Sequence, residues 1–257
     1  MNRTILFSLG LVSVLFLGAC GGAKEEAKKE EAAPPAAAAP AVNEATAASI
    51  TGKVMFTGDK PTMKAISMDA TPACSRQHTS TPKSEEVVVN ADGSLKNVFV
   101  YVKAGLPSQQ WPTPTTPAKL DQKTCIYNPH VVGVMVNQDL EITNSDPTNH
   151  NIHPLPKANR EWNESQPPQG EGKMKQFPRE EVMIPVKCNV HPWMRSYIGV
   201  VSHPFFGVTG DDGTFTLKGL PPGEYTVEAW HEKYGTQEIK VKVGAKEEGK
   251  AEFSFKG

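Results

Sequence analysis

The sequence predicts an all-β protein, and three observations lead there. From Ile50 onward the apolar residues come in short runs rich in Val, Ile and Thr, among them "GKVMF", "EEVVVN", "NVFVYVK", "VVGVMVNQDLEITN", "EVMIPVKC", "YIGVVSH", "FTLKG", "YTVEAW" and "EIKVKV". Turn signals bound these runs at Ala91-Asp92-Gly93, Asp211-Asp212-Gly213 and Pro221-Pro222-Gly223. No long stretch repeats its apolar residues at helical spacing. With 257 residues the chain is long enough for two modest cores even after a leader is removed, so one sandwich or two is expected.

The N-terminus stands outside this fold. Arg3 is followed by an apolar run from Ile5 to Phe16, the pattern of a secretory signal and too short to cross a bilayer. It ends in Leu17-Gly18-Ala19-Cys20, which resembles the lipobox of bacterial lipoproteins. That resemblance implies a signal peptide over 1–19 and a lipid on Cys20, anchoring the chain on the periplasmic or cell-surface face of a bacterial membrane. Ordinary cleavage after a small residue is the alternative. Residues 20–48 then read as the lipidated cysteine and a tether: "KEEAKKEE" mixes charge signs, and "AAPPAAAAP" breaks any helix and extends the chain. The formal charge of -1 gives no footing for a nucleic-acid partner.

Export permits disulfides. If Cys20 carries lipid, then Cys74, Cys125 and Cys188 remain, and an odd number requires that at least one be free or bound to something else.

Along the β region, "NVFVYVK" sets Val98, Val100 and Val102 against Phe99 and Tyr101, so both faces are apolar and a central strand is expected. Near the C-terminus, "VTGDDGTFTLKGLPPGEYTVEAWHEKYG" resembles the carboxypeptidase-regulatory or transthyretin-like β-sandwich. "SITGKVMFTGDKP" resembles the first strand of the same family but lies far upstream. The resemblance implies a split sandwich, 49–107 with 204–257, around an inserted domain over 108–203 that begins as early as 98; an unrelated N-terminal strand is the other reading. Trp230 is expected to pack against the neighbouring domain.

The stretch "VKCNVHPWM" places Cys188, His191 and Met194 within seven residues, three side chains that bind soft metals, on a loop stiffened by Pro192. A metal cycling between Cu(II) and Cu(I) suits two imidazoles, one thiolate and a weak axial thioether. The missing imidazole is offered by "NSDPTNHNIHPLP" as His150 or His153, which lie three apart and so face opposite sides of an extended strand. Together "HNIH" and "CNVHPWM" resemble the cupredoxins, and most of all their amicyanin branch. The resemblance implies a Greek-key sandwich holding one mononuclear type 1 copper on His150, Cys188, His191 and Met194. It implies that Asn151 ties the two loops together, and that redox proteins dock on an apolar patch around the His191 edge, formed with Pro192 and Trp193 and extended by Pro154, Leu155 and Pro156; packing within the loop is the plain alternative for these residues. The function implied is single-electron transfer rather than an enzyme's turnover. Copper storage or delivery by the same ligands, or a surface binding module with the copper fold as scaffold, are the rival functions. An inert buried thiol at Cys188 is the plain alternative, and zinc has no use for a thioether.

Giving Cys188 to the metal leaves Cys74 and Cys125 to pair as a disulfide. "CSRQH" and "CIYNPH" also allow a second metal site of Cys74, His78, Cys125 and His130.

Overall fold

The computed structural model describes residues 43–257. Cys20, the leader and most of the tether lie outside the described residues. In chain order the strands are β1 (Ala48–Thr57), β2 (Phe99–Ala104), β3 (Ala118–Lys123), β4 (Ile126–Asn128), β5 (Val131–Met135), β6 (Leu140–Asn144), β7 (His150–Pro154), β8 (Glu164–Gln166) and β9 (Lys173–Lys175). They continue with β10 (Glu181–Lys187), β11 (Arg195–Val201), β12 (Phe206–Val208), β13 (Thr214–Leu220), β14 (Gly223–His231), β15 (Gly235–Val243), β16 (Glu248–Lys250) and β17 (Phe253–Lys256). The helix among the described residues, α1, is a single turn, Pro72–Ser75. The chain is all-β, as its alternating runs require.

Four sheets form. Two contain β1 and β2 with the C-terminal strands: β13-β1-β16 with β17 also on β1, and β12-β2-β14-β15. Two contain the middle of the chain: β5-β11-β10-β7-β8 and β4-β3-β6-β9. Within the sheets β3 to β11 pair only with one another, while β2 and β12, which flank them in sequence, lie side by side with Tyr101 opposite Phe206. The chain thus leaves an outer sandwich at the end of β2 and re-enters it beside the point of exit.

Each sandwich has its own core. Ile50, Val54, Leu95, Val100, Val227 and Phe253 fill the outer one, and Leu120, Tyr127, Ile142, Ile184 and Ile198 the inner one. β2 is buried on both faces: its valines enter the outer core, while Phe99 and Tyr101 turn to a joint with Val131 and Val201 of the inner sandwich. Gly133 and Gly199 are cross-strand partners on β5 and β11. A Cβ on Gly133 would lie 2.4 Å from the Phe206 ring, and one on Gly199 would lie 2.7 Å from Phe99, so the bare backbone at both is what lets the aromatic rings seat. Trp230 meets Tyr197 at 5.0 Å between ring centroids across the same joint.

Two elements differ from the sequence expectation. "EEVVVN" forms no strand: Val89 bridges only Leu95, because the turn at Asp92-Gly93 reverses the chain at once, and Val87 and Val89 simply bury in the outer core. Met68 and Cys74, grouped by sequence with the outer sandwich, pack in the inner core instead, where α1 is held by a bond that sequence adjacency does not reveal.

Candidate metal centre

The register of the inner sandwich builds the site. β10 pairs with β7 so that Lys187 lies opposite His153 and Val186 opposite Pro154. This sets the start of β7, with His150, beside the loop that follows β10. That loop closes on itself: the N–H of Cys188 donates to the carbonyl of Met194 at 3.2 Å, the N–H of Met194 donates to the carbonyl of His191 at 3.0 Å, and the N–H of His191 donates to Cys188 Sγ at 3.4 Å. Asn151 ties the two segments together, its side-chain oxygen accepting the backbone N–H of Asn189 while its amide donates to Asn163.

The structure brings His150, Cys188 and His191 together, all buried, with one ligating atom from each within 4.8 Å of the others. His150 Nδ1 lies 2.9 Å from His191 Nδ1, and Cys188 Sγ lies 3.9 Å from His191 Nδ1. Met194 is buried in the same core cluster as Cys188. His153 is not brought in: its Nδ1 faces the Asn189 side chain at 3.2 Å and its Nε2 faces Glu161 at 2.7 Å.

The outer nitrogens fix the tautomers. His150 Nε2–H donates to Asp146 Oδ2 at 2.7 Å, and Asp146 also accepts the backbone N–H groups of Thr124 and Cys125 at 2.6 and 2.7 Å. His191 Nε2 lies 3.6 Å from Cys74 Sγ, which is disulfide-bonded to Cys125 and offers only a weak acceptor. Both Nε2 atoms therefore look outward and both Nδ1 atoms look toward Cys188. A trigonal ion with bonds of about 2.0 Å to nitrogen and about 2.3 Å to sulfur would hold N and N about 3.5 Å apart and S and N about 3.7 Å apart. The Cys188–His191 spacing already comes close, and the two rings need part by only about half an ångström, so the donor set fits copper. Zinc would want a further N, O or thiolate donor, and the nearest carboxylate, Asp146, is taken up on the far side of the His150 ring.

Electrostatics agree with this placement. Burial pushes the Asp146 carboxyl up, yet His150 and the two backbone donors more than offset it and hold it below its usual range. Burial works against charge on His150, but Asp146 and Cys188 raise its pKa. Burial also opposes ionisation of Cys188, and the bonds from His150 and the loop backbone bring the thiol down. His191 is lowered by burial and by the neighbouring His150. In the metal-free site His150 Nδ1–H then donates to His191 Nδ1, a proton that an incoming ion would displace.

Cys74 and Cys125 are joined in a disulfide, so the four-residue second metal site is not assembled. His78 Nε2 bonds the carbonyl of Thr124 at 2.8 Å, and His130 Nε2 meets Glu232 at 2.5 Å. The His191 edge does not lie at the surface of the described residues. His191 is 2 % exposed, because α1 and the disulfide lie over its Nε2. Trp193 Nε1 donates to the carbonyl of Cys125 at 3.0 Å and its ring packs 5.1 Å from His191, so Trp193 helps seal the site, leaving Pro192 exposed at the surface. Sequence reasoning missed Asp146 and Tyr127. Asp146 sits four residues before His150 in "NSDPTNHNIH", a spacing that could have flagged it. Tyr127, whose hydroxyl donates to the Asn151 carbonyl at 2.5 Å, gives no such signal.

No protein-family model matches the sequence, and no curated protein is found similar to it. Among solved structures, a novel purple cupredoxin from Nitrosopumilus maritimus is similar at 20% identity over 32% of this chain and 98% of its own, with a TM-score of 0.28. The Cu-containing nitrite reductase NirK from Thermus scotoductus SA-01 is similar at 14% identity over 57% of this chain and 28% of its own, with a TM-score of 0.31. Amicyanin from Paracoccus versutus is similar at 15% identity over 39% of this chain and 96% of its own, with a TM-score of 0.30. The all-β, several-sheet architecture is consistent with a cupredoxin-like β-sandwich; likenesses this low carry no functional weight, and the donor geometry alone supports a copper site.

Proposed function

We propose that this chain is an exported, lipid-anchored type 1 copper protein that carries single electrons between extracytoplasmic redox proteins. One observation carries the reading: two imidazole Nδ1 atoms and one cysteine sulfur converge in a buried site, with their other ring nitrogens occupied outside it. Copper, when bound, supplies the one-electron couple. His150, Cys188 and His191 would hold the ion, and Met194, buried in the same cluster as Cys188, would offer a weak thioether donor. Asp146 holds the His150 ring through Nε2 so that Nδ1 is aimed into the site, where an ion would take the place of its proton, and Asn151 fixes the loop against β7. A closed loop tied at both ends changes little with oxidation state, which keeps the reorganisation for each electron small. The outer sandwich is read as carboxypeptidase-regulatory-like and the segment from Cys20 as a lipidated tether.

Adding Cu(II) to the metal-free protein should produce an intense thiolate-to-copper absorption band. Cys188→Ser should abolish it and His150→Ala should shift or weaken it. A colourless wild type that binds zinc alone would refute the reading.

A further inference from the structure

The closed His191 edge raises the question of where an electron enters. Cys188 lines a groove of about 640 Å³, open to solvent and walled by Leu155, Pro185, Pro192 and Tyr197, to which His191 does not contribute. Two cations stand in it. Lys187 at the end of β10 and Arg195 at the start of β11 are direct cross-strand partners, and both are exposed. Like charges placed opposite each other in a sheet are unfavourable unless something complements them. Neither forms an ion pair among the described residues, and the groove lining contains no carboxylate. Glu161, in the loop after β7, is engaged by His153, the cross-strand partner of Lys187. Val190, at the tip of the ligand loop, is 55% exposed, one of two large apolar side chains so exposed among the described residues. The two cations line one groove with Cys188, Asn189 and Pro192, and Val190 lies between the last two in the chain at its exposed loop.

We propose that an acidic face of a one-electron carrier protein docks over Lys187, Arg195 and Val190, and that the electron crosses through Cys188 Sγ rather than through the His191 imidazole. This rests on the copper reading above. In the step the partner is oxidised by one electron and the metal site is reduced by one; no bond forms and no proton moves. The positive surface steers the acidic partner and sets its orientation, which is a rate effect sensitive to salt.

The test uses copper-loaded protein and small redox probes of opposite charge. The reduced protein is oxidised by ferricyanide, a trianion, or by tris(phenanthroline)cobalt(III), a trication, in a stopped-flow instrument at low ionic strength. Lys187→Glu and Arg195→Glu should each slow ferricyanide by about tenfold and accelerate the cobalt complex, and high salt should erase both effects. Lys240→Glu, an exposed change of equal charge on the outer sandwich, should alter neither by more than about twofold. If the groove variants affect the two probes no more than Lys240→Glu does, entry through the groove is overturned while the copper reading stands. If no coloured copper site forms in the wild type, the copper reading itself has failed. The absorption band of each variant reports that its metal site is intact.

Discussion

Replacing Asp146 with Asn tests the least visible part of the site. The carboxylate is fully buried and accepts three N–H groups, two on Oδ2 (His150 Nε2 and Cys125 N) and one on Oδ1 (Thr124 N). An asparagine has one acceptor oxygen, so its amide must face at least one of these donors. In the gentlest arrangement the amide turns toward Thr124, losing one charge-assisted bond worth about 1.5–3 kcal/mol, and the remaining two bonds weaken with the lost charge. The expected destabilisation of the metal-free protein is about 3 kcal/mol, the lower end for removing one partner of a buried ion pair. Because the His150 ring is then less firmly aimed, copper affinity should fall by about 10- to 100-fold. Urea denaturation of the metal-free form measures the first quantity, and competition against a chelator of known affinity measures the second. The pH dependence has a definite sign. Asp146 is depressed below its ordinary value of 3.8, so its contribution is present above that value and is lost as pH falls through the folded value. The gap between wild type and variant should therefore close only in acid. An unchanged urea midpoint together with unchanged copper affinity would show that Asp146 does not hold His150.

Other outcomes follow from the same geometry. In the metal-free protein, the ring protons of His150 should titrate above the ordinary imidazole value of 6.5 and those of His191 below it when followed by NMR; the reverse order would contradict the proton placement. Replacing both Cys74 and Cys125 with Ser removes a cross-link spanning 51 residues, which on the chain-entropy model costs about 4 kcal/mol, read as a lower urea midpoint. The same variant loosens the cover over His191, so small neutral quenchers and chelators should reach the site faster; unchanged access would show that the disulfide is not the seal. Gly199→Ala sets a methyl 2.7 Å from the Phe99 ring and 2.8 Å from Met183 Sδ, an overpacking worth about 1–3 kcal/mol. Thermal denaturation followed by tryptophan fluorescence should show it, since Trp230 packs at the same joint.

Alternation of Val, Ile and Thr with polar residues, and glycine turns between runs, determined the β class and the longer strands β1, β2, β5, β6, β10, β11, β13, β14 and β15, because strand faces repeat every two residues; short strands such as β3, β4, β8, β9, β12, β16 and β17 left no such run to read. The convergence of His150, Cys188 and His191 was legible because Cys188 and His191 lie on one loop with Met194, and His150 stands in a short motif of its own. Tertiary structure decided what depends on distance across the chain. It turned His150 rather than His153 inward by pairing β7 with β10, and it brought Asp146 onto the back of the ring. It also carried Cys74, on a helical turn with no periodic signature, across to Cys125, so that a disulfide covers the imidazole that local sequence would have left at the surface. Local pattern encodes which face of a strand a residue occupies; which segment lies over that face is set by long-range packing, where no short motif is available to read.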